Sequence, residues 1–300
     1  MRAHNFKPDS VRPSLVMLVG IPGSGKTTYA KTMAQKRNAL HVTSDGIRQE
    51  LRPNNNWYYP EDNGKVYEIM FKRTLDALAT GQTVLYDATN MSRKDRASIL
   101  RQCPKYVKIE CHIIWTPIEA CIERDAAREH PVGEDVIYKM LRRFEAPFYD
   151  EGFDSIEVFR SEYNQSEYCY KHMNAREIPH DNPHHTLDIA EHCRLCGNIL
   201  LSQELPTVVK FAGYVHDIGK PLTKTFVNTK GETTEVAHYY GHQGMGAWLS
   251  YGLLNCESVT LAWLISTHMA PFVNQKYYNS LDPLYKNWID ALHKADLEAH

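Results

Sequence analysis

Residues 20–27, GIPGSGKT, have a spacing that predicts phosphate binding. They fit the pattern G-x-x-x-x-G-K-[ST], in which backbone N–H groups converge on phosphates at a helix N-terminus. A short apolar run leads into them, and a helical pattern begins at Lys26. We therefore expect a site for ATP or another nucleoside triphosphate, formed by Gly23, Ser24, Gly25, Lys26, Thr27 and Thr28. Lys26 would neutralise the transferred phosphate, and the Thr27 hydroxyl would hold Mg²⁺.

Two charged residues after the next apolar segment are candidates for the acceptor side of a phosphoryl transfer. Residues 44–48, SDGIR, follow the strand-like segment 40–43. Asp45 could accept a proton from an attacking hydroxyl, and Arg48, one turn later, could hold a phosphate of the acceptor. The spacing alone leaves open an ordinary helix cap at Asp45 and a solvated Arg48.

Three further residues complete the predicted kinase chemistry. Asp87 follows a third strand-like segment and could orient either Arg48 or the water on the metal ion. Arg124 and Arg128 are spaced i, i+4, which predicts one shared helix face from which both could clamp phosphate charge. Arg128 is also a candidate contact of the nucleotide, although surface arginines would give the same pattern.

The second half of the sequence is rich in histidine, which indicates a metal-using region. Of the 15 histidines, most lie at or after His172. Residues 215–220, VHDIGK, place His216 beside Asp217, so that imidazole and carboxylate can bind one cation or bridge two. Lys220 could contact a substrate phosphate or merely follow the glycine turn.

Other metal ligands are expected from other helices. His185, His242, His268 and Asp296 are separated from the central pair and from each other by intervals that suit one ligand per helix. The remaining candidates are expected to surround the site or lie on the surface; they are His184, His192, His238 and His293.

The elements that position these residues differ between the two halves. Apolar strand-like runs alternate with helical patterns up to about residue 160, which predicts an α/β domain with a doubly wound parallel sheet over residues 1–160. Residues 161–180 lack clear periodicity and are predicted to be a linker. Residues 181–300 are predicted to form an all-α domain with one small hairpin near 224–238.

Composition sets limits on the partners. The net charge is −2 at pH 7 with neutral histidines, so nucleic-acid contacts would have to come from local basic groups. The longest apolar stretch is too short to span a bilayer, and no signal segment is visible, so no membrane partner is expected. An odd count of seven cysteines fits a reducing compartment. The predicted location is the cytoplasm of a bacterial or phage-infected cell.

Residues 14–160 resemble the polynucleotide 5′-kinase branch of the P-loop kinases, including the kinase module of the phage end-healing kinase–phosphatases. The match lies in the phosphate-binding loop and in the Asp-x-x-Arg element formed by Asp45 and Arg48. The resemblance implies that Asp45 is the general base and that Arg48 contacts the acceptor phosphate. It also implies roles for Asp87 after the third strand and for Arg124 and Arg128 as lid arginines.

Residues 180–300 resemble the HD superfamily of metal-dependent phosphohydrolases, whose signature is His…His-Asp…Asp. The segment HTLD beginning at His185 resembles the first-ligand helix, and Asp296 resembles the last ligand. His242 and His268 are similar to the additional ligands of members that hold two metals. The resemblance therefore implies two divalent transition ions, such as Mn²⁺, Ni²⁺ or Co²⁺.

The two resemblances together predict a bifunctional enzyme that heals nucleic-acid ends, with RNA favoured over DNA. It would phosphorylate a 5′-OH with ATP and remove a 3′-phosphate or a 2′,3′-cyclic phosphate, so that an RNA ligase could act downstream. Two alternatives stay open at this point. One is a nucleotide or nucleoside kinase fused to an HD nucleotidase, and the other is an ATP-switched regulatory protein with a nucleotide-binding HD domain.

Overall fold

The N-terminal half contains a five-stranded parallel sheet. The computed structural model describes residues 12–52, 60–182 and 186–299. The strands of this sheet are β1 (Ser14–Val19), β2 (Leu40–Thr43), β3 (Val84–Asp87), β4 (Lys108–Trp115) and β5 (Ser155–Arg160), in the order β2-β3-β1-β4-β5. All neighbours are parallel, and β1 and β3 are buried along their whole length. Such two-faced burial explains why these strands are continuous apolar runs rather than alternating patterns.

In the described part of this half, six helices accompany the strands. They are α1 (Lys26–Arg37), α2 (Ser44–Leu51), α3 (Asn63–Ala79), α4 (Arg93–Leu100), α5 (Ile118–Ala126) and α6 (Glu134–Arg142). Short 3-10 turns lie at Pro60–Asp62 and Tyr149–Glu151. The alternation of strands and helices confirms the predicted α/β class. Helix α2 was not predicted, because its eight residues contain two apolar positions and one glycine.

Helix α7 (Gln165–Asn174) lies inside the segment 161–180 that the sequence analysis assigned to a linker. The Asn164 side chain caps it by accepting the backbone N–H of Glu167. The Tyr168 hydroxyl donates to the carbonyl of Leu249 at 3.0 Å, which fixes the helix on the C-terminal half. The division into residues 1–160 and 181–300 stays a prediction.

The C-terminal half is helical with one hairpin, as predicted. Its helices are α8 (Ile189–Leu201), α9 (Thr207–Val215), α10 (His242–Ser250), α11 (Ser258–Thr267), α12 (Ala270–Val273), α13 (Gln275–Ser280) and α14 (Pro283–Glu298). The hairpin strands β6 (Thr225–Val227) and β7 (Thr233–His238) are antiparallel. Among the residues that the structure describes, no helix is both long and apolar enough to cross a membrane.

The two halves pack against each other through one continuous hydrophobic core. Trp115 at the end of β4 is fully buried, and its Nε1 donates to the carbonyl of Trp248 in α10 at 2.8 Å. Arg160 at the end of β5 donates to the carbonyls of Tyr251 and Leu254 at 2.7 and 2.8 Å. Because these contacts join the sheet edge directly to α10 and the residues after it, the two halves hold a fixed relative position.

Candidate active sites

The first candidate site lies at the carboxyl ends of β1, β2 and β3. In open parallel sheets this edge is where ligands bind, because loops there converge above the strand ends. The loop after β1 turns into α1 at Gly25, which is left-handed with a φ of 96°. No side chain caps α1, and a Cβ at Gly25 would meet no atom within 4 Å. The helix N-terminus therefore presents its free N–H groups to open space, as a phosphate group requires.

The back of this loop rests on α5. A Cβ on Gly23 would lie 2.1 Å from the carbonyl oxygen of Cys121, so only glycine fits there. The Arg124 guanidinium, one turn further along α5, donates to the Thr116 hydroxyl, which in turn donates to the carbonyl of Ser24. The arginine is thereby placed beside the phosphate-binding loop, as predicted.

Lys26 and Thr27 occupy the positions expected for phosphate and magnesium contacts. Lys26 Nζ lies 2.9 Å from the carbonyl oxygen of Ile21, across the mouth of the loop. Burial lowers the pKa of Lys26, while the carboxylates of Asp87 and Asp45 act in the opposite direction. The Thr27 hydroxyl donates to Asp87 Oδ2 at 3.2 Å. Asp87 therefore lies beside the hydroxyl that is predicted to hold magnesium.

Asp45 and Arg48 form an ion pair at the end of β2. Arg48 Nη1 donates to Asp45 Oδ1 at 3.0 Å, and Arg48 Nη2 donates to Asn63 Oδ1 at the same distance. The guanidinium is 9% exposed, whereas the Asp45 side chain is 49% exposed. The exposed Asp45 carboxylate can therefore be reached by an acceptor hydroxyl. The guanidinium beside it is held in position.

The segment after α5 brings Arg128 towards the same carboxylate. Helix α5 ends at Ala126, so the prediction that Arg124 and Arg128 share one helix face was wrong. The chain turns away because buried Asp125 accepts the backbone N–H groups of Val132 and Gly133, each at 2.9 Å. Arg128 Nη2 nevertheless lies 3.9 Å from Asp45 Oδ2, on the acceptor side of the site.

The second candidate site is a cluster of imidazoles and carboxylates in the C-terminal helices. One group that could hold a metal ion consists of His192, His216, Asp217 and Asp296. His192 Nε2 lies 2.9 Å from Asp296 Oδ1 and 3.3 Å from His216 Nε2. These residues come from α8, the end of α9, the following turn and α14, so four parts of the chain converge on one point.

Asp217 also belongs to a second group, with His242 and His268. His242 begins α10 and His268 follows α11. Their Nε2 atoms are 3.2 Å apart, and His242 Nε2 lies 3.4 Å from Asp217 Oδ1. Since one Asp217 oxygen faces each group, this carboxylate can bridge two cations.

The orientation of the four imidazoles supports metal binding. Each Nδ1 lies within 3.0 Å of a backbone carbonyl oxygen, which fixes the proton on Nδ1 and leaves Nε2 as the free ligand atom. The Nε2 atoms of neighbouring imidazoles then face each other, and both are hydrogen-bond acceptors. A cation bound between them makes this arrangement favourable. Burial, with the charges of His242 and His216, lowers the pKa of His268 to about 3, so this imidazole stays neutral as a ligand must. The residues therefore fit divalent transition ions.

Two family models match separate parts of the chain. Residues 15–147 match the family model described as an AAA domain, and residues 184–294 match the model described as an HD domain. The chain joins a P-loop kinase domain to an HD domain. The cluster of histidine and aspartate ligands lies within the HD match, and the phosphate-binding loop lies within the AAA match.

Individual relatives match only parts of the chain. A protein named transcription factor bHLH140 from Arabidopsis thaliana is 26% identical over 161 residues, which cover 51% of this chain and 16% of that protein. A putative bifunctional polynucleotide phosphatase/kinase from Acanthamoeba polyphaga mimivirus is 24% identical over 173 residues, which cover 54% of this chain and 36% of that protein. The chain thus matches well under two thirds of the length of either curated relative.

Solved structures align with part of the chain. In the structure of the Pnkp1/Rnl/Hen1 RNA repair complex, one chain aligns with a TM-score of 0.39 and 24% identity, covering 44% of each chain. A fungal RNA kinase aligns with a TM-score of 0.38 and 15% identity, covering 52% of this chain and 78% of that chain.

The structure brings together five of the predicted HD ligands. His216, Asp217, His242, His268 and Asp296 all lie in the two groups. His185 lies outside the described residues, and His192 is a further member of the first group. The expectation that His192 merely surrounds the site or lies on the surface is wrong, because it is fully buried with Nε2 in the cluster.

Lys220 is close to the HD cluster rather than at its rim. Its Nζ lies 2.5 Å from Asp217 Oδ2, and the residue is 8% exposed. Burial alone would raise the pKa of Asp217, but the charges of Lys220 and His216 hold it well below its usual value. Lys220 therefore helps to keep charged the carboxylate that could bridge two cations.

Three residues of the sites were missed from the sequence. They are His192, His41, whose Nε2 lies 3.0 Å from Asp87 Oδ2, and Asp125, which shapes the segment after α5. His192 has a visible signal, because it falls in the middle of the amphipathic pattern of α8 and faces the core. For His41 and Asp125 the single sequence offers no comparable signal.

Proposed function

We propose that the chain is a bifunctional enzyme that heals nucleic-acid ends, with RNA as the preferred substrate. The P-loop kinase domain phosphorylates a 5′-OH with ATP and Mg²⁺. The HD domain removes a 3′-phosphate, or opens and clears a 2′,3′-cyclic phosphate. The mimivirus relative, which is named a putative bifunctional polynucleotide phosphatase/kinase, supports the pairing of the two reactions.

The observation that carries the polynucleotide assignment is the Asp45–Arg48 pair. A buried guanidinium beside an exposed carboxylate suits an acceptor in which a hydroxyl lies next to a phosphate. In a strand with a 5′-OH end, that hydroxyl belongs to the same nucleotide as the first phosphodiester. Arg48 would bind this phosphodiester while Asp45 takes the proton of the hydroxyl.

The remaining kinase residues act on the nucleotide. As the acceptor oxygen bonds to the γ-phosphorus, the bond to the β-bridging oxygen breaks and ADP leaves. Lys26 and the N–H groups at the start of α1 stabilise the charge of the transferred phosphoryl group. Arg124 and Arg128 approach from the other side, and Thr27 and Asp87 would hold the magnesium ion.

In the HD domain the chain supplies the metal ligands and one positively charged side chain, that of Lys220. Two divalent ions such as Mn²⁺, Ni²⁺ or Co²⁺, when bound, supply an activated water and neutralise phosphate charge. His192, His216 and Asp296 would hold the first ion, and His242 and His268 the second, with Asp217 shared. Lys220 would contact the phosphate. The water oxygen bonds to phosphorus as the bond to the ribose oxygen breaks, and the proton of the water passes to that ribose oxygen. A 2′,3′-cyclic phosphate requires two such hydrolyses in succession.

The deciding experiment uses an RNA that carries a 5′-OH and a 2′,3′-cyclic phosphate, incubated with ATP and Mg²⁺ or Mn²⁺. End-group analysis should show a 5′-phosphate and a 3′-OH. Lys26→Ala should abolish only the 5′ reaction, and Asp217→Ala only the 3′ reaction, because the two residues lie in separate sites. If a bare nucleoside were phosphorylated as well as the RNA, the nucleoside-kinase alternative would be favoured. ATP consumption that does not depend on an acceptor would favour the ATP-switched regulatory protein.

Two further parts of the proposal follow from the chemistry of the products. A ligase needs both a 5′-phosphate and a 3′-OH, so an RNA ligase is the expected downstream partner. All seven cysteines are free, which agrees with the proposed cytoplasmic location.

A further inference from the structure

A cleft of about 170 Å³ lies between the two domains. The kinase domain contributes Arg93, Arg142 and Arg143 to it. The HD domain contributes Gln243 from α10, together with Asn274 and Tyr277 after α11. The lining therefore combines three arginines with both polar and apolar side chains, and it is built from elements that are far apart in the sequence.

Two of the three arginines carry uncompensated charge. Arg93 pairs with Asp150 through two hydrogen bonds of 3.0 and 2.9 Å, and it also donates to Tyr277. Arg142 and Arg143 are exposed, and neither has a carboxylate within ion-pairing distance in the described part of the chain. Among the lining residues, Glu145 carries a carboxylate, and it accepts the backbone N–H of Arg93 at 2.9 Å.

The cleft lies beside the second metal group. Gln243 directly follows His242, and the lining also includes both neighbours of His268, Thr267 and Met269. The approach is close, because a Cβ on Gly241 would lie 2.6 Å from the Cβ of Arg142. The end of α6 in the kinase domain therefore abuts the residue that precedes a metal ligand of the HD domain.

Together these observations identify a site for a phosphate chain. We propose that this cleft binds the phosphodiester backbone of a single strand whose 3′ end occupies the HD site. The guanidinium forks of Arg142 and Arg143 match phosphate oxygens, and the Gln243 side-chain amide, which makes no hydrogen bond to the described residues, can reach a ribose hydroxyl. The volume suits a phosphate with its ribose, so the site recognises the strand rather than a base. This inference rests on the proposed function.

The kinase domain would then serve the HD reaction as a substrate-binding surface. Such a subsite distinguishes a polynucleotide from a mononucleotide, because a free 2′,3′-cyclic mononucleotide has no phosphate to place between Arg142 and Arg143. The prediction is a loss of affinity for long substrates without a change in the chemical step.

The test compares the double variant Arg142→Ala/Arg143→Ala with wild type and with Arg101→Ala, an exposed arginine elsewhere on the kinase domain. Hydrolysis by the metal-loaded full chain is measured on a single-stranded RNA with a 2′,3′-cyclic phosphate and on a 2′,3′-cyclic mononucleotide. Binding of a fluorescein-labelled RNA of the same sequence is measured by anisotropy over a range of salt concentrations. Phosphorylation of the 5′-OH RNA is measured in parallel.

For the double variant we expect KM on the RNA to rise about 10-fold or more, with kcat and the mononucleotide reaction unchanged, because hydrogen bonds from charged side chains to the phosphate are lost. The logarithm of the RNA-binding constant falls with the logarithm of the salt concentration, and this slope should become less steep by about 0.7 for each lost phosphate contact. Arg101→Ala should match wild type. Unchanged binding and KM, an equal loss on both substrates, or a loss confined to 5′-phosphorylation would each overturn the subsite.

The outcome separates this inference from the proposed function. If wild type hydrolyses neither substrate, the proposed hydrolase activity fails, but the anisotropy measurement still tests the subsite. If wild type hydrolyses both and the double variant is indistinguishable from it, the subsite fails and the hydrolase activity stands. Variant Arg142→Lys/Arg143→Lys, which keeps the charge but lacks the planar fork, should recover the salt dependence and only part of the affinity.

Discussion

At the scale of single residues, the HD cluster depends on how its imidazoles are held. His192 and His216 direct their Nε2 atoms towards the same Asp296 oxygen, at 2.9 and 3.2 Å. Their Nδ1 atoms lie 2.7 and 3.0 Å from the carbonyl oxygens of Ala299 and Gly213. Since the carbonyls determine the tautomer, the ligand geometry is already set by the protein.

His192→Ala should therefore remove one metal ion and abolish 3′-end hydrolysis, while 5′-phosphorylation continues. His185→Ala should leave the metal content unchanged, because the first group already contains four ligands without it. Elemental analysis of both purified variants distinguishes the two histidines. Loss of metal in His185→Ala, with full metal content in folded His192→Ala, would restore His185 as the first ligand.

In the kinase domain, Asp45→Ala and Arg48→Ala should have different kinetic effects. Removal of a general base typically lowers the rate about 10²- to 10⁴-fold, so Asp45→Ala should lower kcat. Arg48→Ala should mainly raise KM for an RNA acceptor, because its guanidinium would hold the phosphate beside the hydroxyl. Steady-state kinetics with 5′-OH RNA measures both.

A matched control is Arg73→Ala, which breaks an exposed pair with Glu50 at the outer side of the same helices and should leave both constants unchanged. If Asp45→Ala and Arg48→Ala both raised KM alone, Asp45 would be a binding residue and another group would accept the proton.

At the scale of elements, the position of α10 depends on the glycine in the HD turn. A Cβ on Gly219 would lie 2.1 Å from the carbonyl oxygen of His242 and 2.5 Å from the backbone nitrogen of Gly246. The turn that carries Asp217 therefore contacts the first turn of α10 without any side chain between them. This contact fixes the distance between Asp217 and His242.

Gly219→Ala should push α10 away from the turn, lower the free energy of unfolding by about 1–3 kcal/mol and weaken binding of the second metal ion. Urea unfolding and metal titration measure the two effects. Gly64→Ala is the control, because a Cβ there meets no atom within 4 Å and the residue lies inside α3. Alanine at that position should increase stability slightly. Full binding of both ions by Gly219→Ala would show that the contact does not position His242.

The elements themselves were largely predictable, because their patterns are local. Strand β2 was predicted at its observed bounds. Helix α6 ends at Arg142, where the chain turns to meet α10. Helix α7 was missed because its packing partner, residues 249–253, lies far along the sequence.

Site residues were predictable where they form a motif within one short segment of the sequence. The loop at 20–27 and the His216–Asp217 pair are local in sequence and fell where expected. The place of His192 in the first metal group was not predictable, because only the packing of α8 on α14 brings its ring beside Asp296. The turn after α5 was missed because Asp125 acts through backbone groups several residues away.

At the scale of the whole molecule, the two domains form one structural unit. Phe148 of the kinase domain stacks on Trp263 of the HD domain with ring centroids 4.3 Å apart. A Cβ on Gly252 would lie 2.6 Å from the Trp115 ring, so the domains meet at close-packed distance. Such an interface couples the unfolding of the two domains, because neither domain can expose its half of the core without loss of apolar burial.

The full chain should therefore unfold in one cooperative transition to which ligands of either domain contribute. Removal of the HD metals with a chelator should lower Tm, and excess non-hydrolysable ATP analogue with Mg²⁺ should raise it. A ligand that binds only the folded state adds about 2.7 kcal/mol at 100 times its Kd, whichever domain it occupies. Calorimetry and tryptophan fluorescence measure the transition, since Trp115 lies in the kinase domain and Trp248 and Trp263 in the HD domain.

Asp217→Ala should unfold at a Tm that the chelator no longer changes but the ATP analogue still raises. Two separate transitions, each shifted only by the ligand of its own domain, would contradict the single unit and the fixed relation between the two sites.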